Sequence, residues 1–82
     1  MIKIGKQSKL GSSDILTRAV AFFGPTGLGM KILEQDDCCA RFQGAGGYVS
    51  VVTASTRNKK GSQVMVQGFE WDPQIQQFIT SI

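Results

Sequence analysis

Residues 24–31 read G-P-T-G-L-G-M-K, with Gly24 and Gly29 at the separation of the glycines that frame a phosphate-binding loop. Such a loop wraps phosphate oxygens in backbone N–H groups. A lysine beside the second glycine reaches the β and γ phosphates, and the hydroxyl after it binds magnesium. Here Met30 separates Gly29 from Lys31, and Ile32 stands where the hydroxyl belongs. In an extended strand a slip of one residue turns the lysine to the opposite face. Chain direction is also wrong. A phosphate loop leaves a strand and enters a helix, so that the positive helix N-terminus meets the anion. This stretch leaves a helix and enters a strand, which presents a helix C-terminus of the opposite sign. It reads as a helix stop and a connector. G-A-G-G at 44–47 lacks the dinucleotide-binding spacing and has no helix after it, so it reads as a hairpin turn.

Cys38 and Cys39 are the two cysteines of the chain. Adjacent cysteines rarely bridge each other, because the geometry strains the peptide between them. Both are therefore expected as free thiols. There is no histidine, hence no imidazole base for a thiol nucleophile. Two thiols fall short of the four ligands of structural zinc. Arg41 shares a strand face with Cys39, where it would favour a thiolate. The simpler reading has Cys38 facing the core and Cys39 partly covered.

Glu34, Asp36 and Asp37 form an acidic cluster without calcium-loop spacing, and turns collect aspartates for backbone reasons. Glu70 and Asp72 suggest an acid–base pair, but Asp72 is better placed as a helix cap. No reaction emerges, so the expectation is a protein that is not an enzyme and needs no metal or cofactor.

The elements around these residues are clear. S-S-D-I-L-T-R-A-V-A-F-F, residues 12–23, sets Ile15, Ala19, Phe22 and Phe23 on one side of a helix. Ser12 or Ser13 is its expected N-cap, Asp14 suits its first turn, and Gly24-Pro25 stops it. Strands are expected at 28–35, 38–43, 48–54 and 63–71, joined by brief turns in an antiparallel meander. D-P-Q-I-Q-Q-F-I-T-S-I closes the chain as a second helix with Asp72 as cap, Pro73 in its first position, and a seam of Ile75, Phe78, Ile79 and Ile82.

Two apolar helix stripes need one apolar sheet face. The expected fold is a single α+β domain over residues 1–82: a two-layer sandwich with a four-stranded antiparallel meander sheet, both helices on one face, and the order α-β-β-β-β-α. Residues 1–11 form a basic N-terminal arm or a short edge strand. A chain of 82 residues buries a small core, and self-association is the expected aid to its stability.

With Ile32, Phe42, Val49, Val51, Val64 and Val66 under the helices, the other sheet face carries Leu33, Cys39, Tyr48, Val52, Met65, Phe69 and Trp71, interrupted by Lys31, Arg41, Gln63 and Gln67. Water-facing sheets alternate more cleanly than this, and large apolar patches mark interfaces. The expectation is a small non-catalytic interaction or scaffold module that forms a homodimer through its sheet. Tyr48, Met65, Phe69 and Trp71 would be anchors and Arg41 the source of polar specificity.

Two alternatives remain. Net charge is +3, and Lys3, Lys6 and Lys9 in the arm with Arg57, Lys59 and Lys60 in a polar loop would make a weak nucleic-acid or anion binder. A small-ligand site between helix 1 and the sheet would be lined by Phe22, Phe23 and Met30. The longest apolar run, residues 19–23, is too short to cross a membrane, and the N-terminus has no signal-peptide core. With free thiols, that predicts a cytoplasmic protein.

Overall fold

A computed structural model describes residues 2–55 and 61–82. The elements run β1 (Ile2–Ser8), α1 (Ser12–Phe23), β2 (Lys31–Gln35), β3 (Cys39–Gly44), β4 (Gly47–Ser55), β5 (Ser62–Phe69) and α2 (Asp72–Ser81). The sheet is five-stranded, in the order β1-β5-β4-β3-β2, with every neighbouring pair antiparallel. Strands β2 to β5 form the expected meander. The N-terminal arm is a full strand, paired with β5 from Ile2 opposite Gly68 to Ser8 opposite Ser62. Its alternation of Ile2 and Ile4 with polar residues carried that signal, but not its length or its partner. The chain then crosses by way of α1 to the opposite edge of the sheet.

Both helices lie on one face of the sheet. Ile15, Leu16, Ala19 and Phe23 of α1 and Ile75 and Phe78 of α2 are buried with Ala40, Phe42, Val49, Val51, Val64 and Val66 of the sheet. The ring of Phe23 joins the layers, with centroids 5.6 Å from Phe42 and 5.2 Å from Phe78.

The N-cap of α1 is Gly11, not a serine. The Ser12 hydroxyl lies 3.2 Å from that of Ser62, which is fully buried at the end of β5. A polar partner for Ser62 inside the layer outweighs local capping. Trp71 takes the N-cap position of α2, so Asp72 is its first residue, followed by Pro73.

The connector after α1 folds back on the helix. Gly24 N–H bonds Val20 O at 2.9 Å, Leu28 N–H bonds Phe22 O at 2.9 Å, and Met30 N–H bonds Phe23 O at 3.0 Å. These amides satisfy the free carbonyls of a helix end, and so are engaged by the protein itself rather than left to wrap a phosphate. They also delay β2, which starts at Lys31 rather than at residue 28. Met30 is buried as a result, while Leu28 is 40% exposed.

Candidate interaction face

Strand parity and register set the face opposite the helices. One row across the sheet reads Lys31, Gln43, Tyr48, Phe69. The next reads Glu34, Arg41, Ser50, Gln67, Lys3, and the third Cys39, Val52, Met65, Gly5. On β4 and β5 the apolar side chains form two pairs, Tyr48 with Phe69 and Val52 with Met65, on either side of the polar pair Ser50 and Gln67, while charged ones occupy the edge strands and β3. Leu33 is 47% exposed, Val52 44%, Phe69 43% and Met65 39%. Tyr48 is half-buried beside them. Leu33, Arg41, Gln43, Tyr48, Ser50, Gln67 and Phe69 line a groove of about 680 Å³ over this face.

Three of the four expected anchors, Tyr48, Met65 and Phe69, lie on that face by register, as does Arg41. Trp71 does not join them. Strand β5 ends at Phe69, and Glu70 turns the corner with φ 70°. The turn swings the indole to the helix side, where it packs against the core over Gly44 and Gly47. Its Nε1 is buried without a hydrogen-bond partner.

Glu34 takes a place on the face that alternation alone denies it. A bulge between Ile32 and Glu34 shifts the register so that Glu34 lies opposite Arg41, 3.6 Å from its guanidinium. Both side chains are at least half exposed in this pair, so it orients Arg41 more than it stabilises the fold. Bulges leave little trace in a sequence; an acid that can meet Arg41 across the strands was the one available sign.

No protein-family model, no curated protein and no solved structure matches the chain.

The other predicted residues lie apart from this face or from one another. Lys3 is exposed on the face at its β1 edge. Lys6 points to the helix side and donates from Nζ to Ile79 O at 2.9 Å. Lys9 is exposed in the turn after β1. Arg57, Lys59 and Lys60 lie outside the described residues. Phe23 and Met30 are buried core residues, and Phe22 packs edge-on against Phe23 with centroids 4.9 Å apart. Phe23 and Met30 belong to the packed core, while Phe22 is only partly buried. What opens beside Phe22 is a shallow depression of about 260 Å³ on the outer surface, bordered by Arg18, Ala21, Phe78 and Ser81.

The cysteines overturn an expectation. Cys38 and Cys39 are joined by a disulfide. Cys38 is exposed rather than turned to the core, because β3 begins only at Cys39 and Cys38 belongs to the turn before it. Asp36 organises that turn: its Oδ1 accepts N–H bonds from Cys38 at 3.0 Å and Cys39 at 2.9 Å. The bond also removes free thiols as a sign of the cytoplasm. No described helix is long and apolar enough to cross a membrane.

Proposed function

We propose that the protein is a non-catalytic interaction module that pairs with a second copy of itself through the open sheet face. The observation that carries this reading is that Leu33, Val52, Met65 and Phe69, each at least 39% exposed, share the face opposite the helices. Exposed apolar side chains that share one sheet face, here the pairs Tyr48 with Phe69 and Val52 with Met65, favour a surface that another molecule covers.

A second copy fits the patch on three grounds. Two-fold pairing sets a face against itself, and the two apolar pairs on β4 and β5 flank a polar row, so an overlay that turns one copy about that row sets one apolar pair against the other. The charged groups Lys3, Lys31 and Glu34 sit on the two edge strands, which is the rim of such an interface. Five strands at about 4.8 Å spacing and about seven residues at about 3.3 Å rise give a face on the order of 500 Å² before side-chain relief. That is the scale of the roughly 800 Å² per partner in a standard interface. Tyr48, Met65 and Phe69 supply the anchors, and Arg41, held by Glu34, supplies polar registration.

The test is solution mass by light scattering over a dilution series at low and high salt. A dimer is expected at both, because burial of apolar surface is insensitive to salt. Met65→Lys, at an exposed position, is expected to give a folded monomer. A wild-type monomer throughout overturns the reading. Nucleic-acid binding through the lysines is the alternative, and it predicts affinity that falls steeply with salt.

A further inference from the structure

We propose that Asp36, Cys38 and Cys39 form a redox-gated site for a soft, thiophilic divalent cation, closed in the disulfide form of the structure and opened by a dithiol reductant. One carboxylate oxygen and the two sulfurs lie within 4.8 Å of one another. Among the described residues this is the one group of three potential ligands gathered so closely. Thiolates select soft and borderline cations, and a carboxylate completes a three-ligand set that leaves a position for water.

The disulfide is poorly explained as a structural staple. A cross-link stabilises a fold mainly by closing a long loop in the unfolded chain, and this one joins neighbours in sequence. Other bonds hold the turn. Asp36 N–H donates to Cys39 O at 2.9 Å, and Thr53 N–H donates to Cys38 O at 2.8 Å. The Thr53 hydroxyl donates to the same carbonyl at 2.9 Å. Those bonds remain when the sulfurs part, so the ligands stay on one turn. Cys38 is exposed, which gives a reductant access to the bond.

Opening and filling the site are balanced steps. A small dithiol attacks the disulfide through its thiolate, passes through a mixed disulfide, and leaves as its own cyclic disulfide. The protein gains two electrons and two protons as a pair of thiols. A divalent cation then displaces both thiol protons and is held by two thiolates and the Asp36 carboxylate. The Asp36 Oδ1 already lies 3.3 Å from Cys38 Sγ; in the disulfide form this is a contact without a shared proton.

The test uses the full chain, reduced with dithiothreitol, freed of it without oxygen, and titrated with cadmium ion. Thiolate-to-cadmium charge-transfer absorption is expected to saturate at one equivalent, and the oxidised protein is expected to give none. Cys38→Ser and Cys39→Ser should each abolish tight binding. Asp36→Asn keeps an oxygen for the turn amides but loses the charge, so it should weaken binding roughly tenfold or more. Equal binding by oxidised and reduced protein overturns the proposal, as does a single-cysteine variant that binds like wild type. Reduction that unfolds the chain, read by circular dichroism, also overturns it, because the bond would then be a staple.

Discussion

Gly44, Gly47 and Gly68 stand on the helix side of the sheet where other positions carry side chains. Their bareness makes room for two large groups. A Cβ on Gly44 would strike the Trp71 indole, and one on Gly68 would lie 2.5 Å from Ile75 Cδ1 and 2.7 Å from Tyr48 O. Gly68→Ala is therefore expected to destabilise the fold by about 1–3 kcal/mol through overpacking, measured by urea unfolding. An unchanged midpoint would mean that α2 slides to accept the methyl. The glycines in G-A-G-G read as turn formers, which holds for Gly46 with φ 77°. The seat they make for Trp71 was not legible, because it depends on a corner at Glu70 that no local pattern encodes. The acceptor role of Asp36 in its turn was legible, since an aspartate side chain reaches the amides two and three residues on.

At the scale of elements, α2 lacks a basic residue in its last turn. Strand β1 supplies what is missing. Lys6 Nζ donates to Ile79 O at 2.9 Å, and the Ser8 hydroxyl donates to Ile82 O at 3.0 Å. A cation at a helix C-terminus is favourable, and a hydrogen bond from a charged donor adds to it. Lys6→Met keeps the aliphatic stem and removes both effects. It is expected to cost about 1 kcal/mol, seen as a lower midpoint in chemical denaturation, whereas Lys9→Met in the exposed turn should leave the midpoint unmoved. Both helices and the four meander strands were legible because periodicity is a local property. Which strand receives Lys6, and hence that a lysine of the arm caps a helix, depends on a partner about seventy positions away in the chain and is invisible to periodicity.

For the molecule as a whole, the sheet divides into a meander of near neighbours and one strand brought from afar. Pairing within β2 to β5 closes short loops, while β1 pairs with β5 across most of the chain, as Ile2 opposite Gly68 illustrates. Loop closure must precede the contacts that reward it, so the meander is expected to order first. Ile4→Ala should then chiefly speed unfolding, and Val51→Ala should chiefly slow folding. Stopped-flow kinetics over a range of denaturant would separate the two, and a slowed folding limb for Ile4→Ala would place β1 in the nucleus. Synthesis from the N-terminus adds a timing problem to this arrangement. Strand β1 leaves the ribosome before any strand it could pair with, and Ile2 and Ile4 stay uncovered until β5 and α2 follow. The lysines and Gly5 interspersed with those isoleucines lower the hazard that a waiting strand finds the wrong partner.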